Sequence, residues 1–302
     1  MRAFVTGGHG FVGPWLVRHL EEQGDDVVAP GPDVDVTDAE GLARALAAAR
    51  PDAVYHLAAL ASVAQSWDNP AATFEVNATG TLHLLEAARR LQPNPRVLLV
   101  CSAEVYGSVE PDRLPITEET PLRPVTPYAA SKVAAEFLGL QAHLGHGLPV
   151  VRVRAFNHVG PSQAGAFVVS DLARRIAEAE RDGAKVLRVG NLSPRRDFTD
   201  VRDVVRAYRL LVERGVVGEV YNVCSGHAIA IEELAHRLLR LAGTDLVIES
   251  DPELFRPVDV PVLLGDATRI RDHVGWEPTI PLDDTLNDVL DDWRRRVADG
   301  IS

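Results

Sequence analysis

The chain opens Arg2-Ala3-Phe4-Val5-Thr6-Gly7-Gly8-His9-Gly10-Phe11-Val12-Gly13 and continues as an amphipathic stretch that Gly24 stops. An apolar strand, a glycine-rich turn and a helix, in that order, leave few folds open. Glycines at 7, 10 and 13 let the backbone approach a pyrophosphate and let the helix pack on the strand, while the helix N-terminus attracts the phosphates. The expected class is α/β, a Rossmann doubly wound, mostly parallel sheet. Gly7, Gly10, Phe11, Val12 and Gly13 are its first dinucleotide contacts. The bland reading is a tight turn with no ligand.

Further strands are expected at 26–29, 53–57, 96–101 and 149–154, with helices at 39–49, 73–90 and 127–143. After residue 157 the alternation loosens and a smaller lobe is interleaved. Its helices fall at 167–181, 231–241 and 282–297, and its strands at 185–189 and 246–249. Residues 219–223 return to the first sheet. The division predicted is a dinucleotide-binding domain over 1–157, with returns near 196–228, and a substrate lobe over 158–302.

A net charge of −12 argues against nucleic acid and anionic membranes as partners. The first strand starts at once, so no signal peptide is expected, and no apolar run is long enough to span a bilayer. Cys101 and Cys224 read as reduced core thiols of a cytoplasmic protein. No metal-ligand cluster is apparent.

Open α/β sheets bind ligands beyond the carboxyl ends of their strands. Leu57-Ala58-Ala59 ends the third strand with small residues that a cofactor can lie against. Ser62-Val63 and Ser66-Trp67 follow on an expected loop. Ser102 and Glu104 end the fourth strand. Thr126 can cap the next helix, with Pro127 at its first position. Tyr128 and Lys132 then share one helix face. An ammonium beside a phenol lowers the phenol's pKa from about 10, making Tyr128 a proton donor and acceptor near neutrality. Of 31 basic Lys and Arg residues only Lys132 and Lys185 are lysine, so a lysine at this position is notable. Alone, the Tyr-Lys pair reads more readily as an ordinary helix with a stray Tyr and Lys. The connection after the second strand carries Asp33, Asp35 and Asp38 and no Lys or Arg, which leans toward NAD over NADP, though a solvated acidic loop is as good a reading. Arg196 and Arg256 flank the lobe junction, where two guanidinium groups would clamp a diphosphate; the bland reading is surface arginine.

Gly7-x-x-Gly10-x-x-Gly13, Ser102 and Tyr128-x-x-x-Lys132, in this order, resemble the extended short-chain dehydrogenases that act on nucleotide sugars. The resemblance covers nearly the whole chain. His56-Leu57-Ala58-Ala59, Phe156-Asn157-His158-x-Gly160-Pro161, Gly190-Asn191-Leu192, Arg196-Asp197-Phe198-Thr199-Asp200 and Tyr221-Asn222-Val223-Cys224-Ser225-Gly226 are similar to the GDP-mannose branch. That resemblance implies an NAD(H)- or NADP(H)-dependent reduction of the 4-keto group of GDP-6-deoxy-4-keto-D-mannose to GDP-D-rhamnose. It implies Ser102, Tyr128, Lys132 and Glu104 as catalytic residues. Asp35 and Val36 would border the adenine, with Leu57, Ala58 and Ala59 along the cofactor. Ser66, Asn157, Asn191, Arg196 and Arg256 would hold a GDP-linked hexose. It also implies a homodimer through the helices near 74–90 and 127–143. A GDP-mannose 4,6-dehydratase or another nucleotide-sugar epimerase is the rival enzyme. A dinucleotide-sensing scaffold is the rival of another class, and would not need Ser102, Tyr128 and Lys132 together.

Overall fold

Uninterrupted apolar runs make strands that are covered on both faces, and the first strand, β1 (Arg2–Thr6), is buried from Ala3 onward. The computed structural model describes residues 1–251 and 260–300. From β1 the chain builds α1 (Val12–Glu22), β2 (Asp26–Val28), α2 (Ala39–Ala49), β3 (Ala53–His56), α3 (Val63–Asp68), α4 (Pro70–Phe74), a π-helical turn (Glu75–Thr79), α5 (Gly80–Ala88), β4 (Arg96–Val100), α6 (Pro127–His146) and β5 (Val150–Ala155). The remainder supplies β6 (Asn157–Val159), α7 (Val168–Asp182), β7 (Val186–Val189), β8 (Arg195–Asp200), α8 (Val201–Arg214), β9 (Val220–Val223), β10 (Ala228–Ala230), α9 (Ile231–Ala242), β11 (Val247–Ser250), β12 (Val262–Leu263), α10 (Thr268–Val274) and α11 (Leu282–Ala298).

The main sheet has the order β2-β1-β3-β4-β5-β9, parallel throughout. The chain moves from β1 outward to β2 and then returns to place β3 on the other side of β1. That reversal opens a crevice beyond the carboxyl ends of β1 and β3. One face of the sheet is covered by α1 and α8, through Leu16, Leu20, Tyr208 and Leu211. The other is covered by α2 and α5, through Leu42, Leu46 and Leu84. A separate core joins α7, α9 and α11 around Leu172, Ile176, Leu234, Leu238 and Trp293. Strands β6, β8, β10 and β12 make a small mixed sheet, and β7 and β11 a parallel pair.

Five details depart from the sequence reading. Residues 63–68 are helical, because Ser62 caps that turn by accepting from the Gln65 amide. The helix predicted over 73–90 is interrupted by the π turn, which lets Asn77 turn its side chain to the Leu60 backbone. Asn157–Val159 is a strand, drawn extended by pairing with β8. Helices α8 and α10 were not predicted. Both depend on partners remote in sequence: Ile270 and Val274 of α10 pack in the same core as Tyr208 and Leu211 of α8.

Asp203, on the buried face of α8, illustrates that dependence. Its carboxylate accepts from the Thr279 amide at 2.8 Å, the Ile280 amide at 2.9 Å and the Thr279 hydroxyl at 3.0 Å. Its own carbonyl accepts from Trp276 Nε1 at 2.9 Å. Removing the carboxylate leaves those amides unpaired. Asp203→Ala is therefore expected to destabilise the fold by on the order of 3 kcal/mol, read as a thermal midpoint lower by several degrees. Asp272→Ala, on the exposed face of α10, should change it by less than about 0.5 kcal/mol.

Candidate active site

The glycine turn is shaped by contacts that admit no side chain. Gly7 has φ +70°, and a Cβ there would lie 2.7 Å from the Ala58 nitrogen. A Cβ on Gly13 would lie 2.4 Å from the Gly8 carbonyl. Gly10 closes the turn, its amide donating to the Gly7 carbonyl at 3.0 Å. The turn feeds α1, which has no acidic residue in its first turn to oppose an anion. Gly7, Gly10, Phe11, Val12 and Gly13 all line one cavity of ≈ 560 Å³. Leu57 and Ala59 line it from the end of β3. Ala58 lies behind the turn, its amide on Thr6 Oγ1 at 3.3 Å.

The predicted catalytic residues converge on the same cavity. Thr126 Oγ1 accepts from the Ala129 amide and fixes the start of α6, with Pro127 in its first turn. Tyr128 and Lys132 reach the cavity from α6, and Ser102 and Glu104 from the end of β4. Ser102 lies near Tyr128, where it favours the ionised phenol, and its Oγ accepts from the Glu104 amide at 3.2 Å. Lys132 Nζ donates to the Val100 carbonyl at 2.6 Å. The first turn of α6 is held further by Ser131, whose hydroxyl donates to the Tyr128 carbonyl and accepts from Asn77 Nδ2 at 2.9 Å.

The far wall comes from β6, β8 and the loop after β7. Asn157, Asn191 and Arg196 line it. Asn157 Oδ1 is buried without a hydrogen-bond partner, an acceptor that a ligand's hydroxyl or amide would satisfy. Arg196 Nη1 donates to the Val260 carbonyl at 2.6 Å, and Asn191 Oδ1 accepts from the Ser193 amide at 3.1 Å. Arg256 lies outside the described residues. Ser66 requires a correction: it is fully buried and its hydroxyl donates to the Val63 carbonyl at 2.7 Å, so it does not face a substrate. Its neighbours Ser62, Val63 and Ala64 line the cavity instead. Asp35 and Val36 do not line it. Asp35 accepts from the Thr37 amide, Asp38 caps α2, and Val36 is buried in the core. The acidity after β2 is thus spent on local turns, and the lean toward NAD loses its geometric support.

The sequence profile of the GDP-mannose 4,6 dehydratase family matches residues 32–289. The chain belongs to that family. It is 39% identical over 301 residues to GDP-6-deoxy-D-mannose reductase of Pseudomonas aeruginosa, covering 99% of both chains. A solved structure of RMD from Pseudomonas aeruginosa complexed with NADPH superposes with TM-score 0.89 at 38% identity, over 98% of this chain and 99% of that one. GDP-mannose 4,6-dehydratase of Vibrio cholerae is 30% identical over 286 residues, 85% of this chain and 76% of the other.

Within this family scaffold the cavity's electrostatics follow from burial. The Tyr128 phenol is pushed up to about 12, chiefly because it is buried and in spite of Ser102, which favours its ionised form; Glu104 and Cys101 add to the rise. Lys132 is pushed down by burial, against Cys101 and Glu136, which favour its charge. The sequence reading had Lys132 lowering Tyr128. The structure reverses that direction, because desolvation dominates and the ammonium is turned to the Val100 carbonyl. Burial thus favours the neutral phenol of Tyr128. Sequence reasoning missed Gln163, Asp171 and Tyr208, which also line the cavity. Asp171 and Tyr208 sit on helical faces whose direction only packing reveals. The glycine cradle and the orphaned Asn157 acceptor fit a dinucleotide and a polar co-substrate. Difference absorbance between wild type and Tyr128→Phe should show no tyrosinate from Tyr128 up to about pH 10, the ordinary tyrosine value; ionisation well below that would mean that a charge outweighs burial.

Proposed function

We propose that the chain reduces the carbon 4 ketone of GDP-6-deoxy-4-keto-D-mannose to the alcohol of GDP-D-rhamnose, using NADH or NADPH. The observation that carries this reading is the convergence of Tyr128, Ser102 and Lys132 on one cavity between a glycine cradle and a polar far wall. When bound, the reduced nicotinamide supplies the hydride. Gly7, Gly10 and Gly13 let the α1 N-terminus approach the pyrophosphate. Tyr128 gives its proton to the alkoxide oxygen that forms at carbon 4, and Ser102 hydrogen-bonds that oxygen. Lys132, anchored on the Val100 carbonyl, holds the ribose of the dinucleotide. Asn157, Asn191, Arg196 and Arg256 hold the nucleotide diphosphate and the sugar.

A dehydratase must also remove the carbon 5 proton and help the carbon 6 hydroxyl leave. Glu104 lines the cavity and would be the candidate for that base. Ala103, between Ser102 and Glu104, is buried in the core and offers no donor, which favours ketone reduction. Purified protein should oxidise NADPH or NADH with the 4-keto sugar nucleotide and turn over GDP-mannose alone slowly or not at all, followed by NMR of the sugar products. Efficient formation of the keto sugar from GDP-mannose, without reduction of added keto sugar, would sink the reading. Tyr128→Phe should fold and bind dinucleotide but lose roughly a hundredfold or more in turnover.

Two further parts of the reading concern assembly and place. Phe74, Leu82 and Phe137 are exposed on α4, α5 and α6 around a shallow apolar groove with Ala78, Ala134 and Leu138. A second copy would cover that face by helix pairing. Light scattering at micromolar concentration should give a dimer mass, and Phe137→Glu should shift it toward monomer. The cytoplasm suits the two buried, unpaired cysteines. Among the described residues no helix is long and apolar enough to cross a membrane.

A further inference from the structure

Strand β5 carries Arg152 and Arg154 inside an otherwise apolar run, and both are buried. Two guanidinium groups in a sheet interior are costly unless each is paired and hydrogen-bonded. Glu136, fully buried on α6, supplies the countercharge. It accepts from Arg154 Nε at 2.9 Å and Nη2 at 2.6 Å, and from Arg152 Nη1 at 3.4 Å. The remaining Arg154 nitrogen, Nη1, donates to the Tyr106 hydroxyl at 2.8 Å and the Glu118 carbonyl at 2.9 Å. The guanidinium also lies 4.9 Å from the Tyr106 ring centre. Tyr106 in turn donates to Asn222 Oδ1 on β9 at 2.7 Å.

What this network connects is specific. Glu136 follows Lys132 by one helical turn and Tyr128 by two on the buried face of α6. Tyr106 ends the short 3₁₀ turn Ala103–Tyr106, which Ser102 caps and which contains Glu104. Ser102 and Tyr128 belong to these same two pieces of chain, and both line the cavity. Arg154 is therefore bonded on one side to the helix that carries the proton donor and on the other to the turn that carries its partner. A bidentate guanidinium bridge fixes orientation as well as distance, and a lysine or an apolar residue there would fix neither.

We infer that the Glu136–Arg154–Tyr106 network is a positioning device, which sets the Ser102–Tyr128–Lys132 geometry from beneath the cavity. None of the three lines the cavity, so they act through the residues that do. The kinetic arm of the test rests on the reductase reading above; a second arm needs no substrate.

Tyr106→Phe removes one hydroxyl and leaves Arg154 paired with Glu136. It is expected to lower kcat roughly ten- to a hundredfold, as a small misplacement of reacting groups does. The KM for the keto sugar and the dinucleotide Kd should stay within about threefold, because the binding walls are untouched. In the substrate-free protein, amide hydrogen exchange should accelerate in both 102–107 and 127–136 and not in 39–49. Glu136→Gln should lower kcat further, since Arg154 keeps a polar partner and loses its countercharge; should that variant fail to fold, Tyr106→Phe still decides. An unchanged kcat in folded Tyr106→Phe, or faster exchange in only one of the two segments, would overturn the inference. If the wild type reduces no keto sugar the proposed function fails, while the exchange pattern still tests the network.

Discussion

No side-chain atom fits between the turn at Gly7 and the backbone that leaves β3. This single close approach sets the distance between the first and third strands at their carboxyl ends, where the strand order reverses. The α1 N-terminus, the end of β4 and the start of α6 all face the crevice so formed. A Cβ at Gly7 would push Ala58 away, and one at Gly13 would lift α1 off the Gly8 carbonyl. The cradle is thus defined by what is missing from the side chains rather than by any donor or acceptor they carry.

Burial then decides the chemistry of the groups that reach the cavity. Tyr128, Lys132 and Ser102 are each nearly excluded from water. Desolvation favours the neutral phenol of Tyr128 and weakens the ammonium of Lys132. An exposed Tyr-Lys pair at the same helical spacing would show neither effect. A buried neutral phenol next to a serine is suited to protonating an alkoxide, which is the step that ketone reduction requires.

Buried carboxylates tie β8 and α8 to distant stretches of chain. Asp197 accepts from the amides of Ser225, Gly226 and Gly265 and from the Ser225 hydroxyl, gathering two loops. Asp200 caps α8, pairs with Arg202, and accepts from the Thr285 hydroxyl at 2.7 Å. Asp203 anchors the segment before α11. Three acids within seven residues thus tie β8 and α8 to four other stretches of chain. Each carboxylate is hydrogen-bonded on burial, as its desolvation demands.

The sequence by itself determined the order of strands and helices in the first half, the glycine cradle, and the meeting of Ser102 with Tyr128 and Lys132. Those features are local: a turn that tolerates only glycine, a capped helix start, and a fixed turn between two residues of one helix. Strand ends of an open sheet bring such local pieces together by topology alone. Only the tertiary structure decided that Ser66 turns inward, that Asp35 and Asp38 serve their own turns, and that Tyr128 is driven toward its neutral form. Helix α8, β6 and the Glu136–Arg154–Tyr106 network were likewise invisible, since each depends on partners far away in the chain. Periodicity reports which residues are apolar; it carries no information about which buried charge faces which, because that is fixed only when distant segments exclude water together.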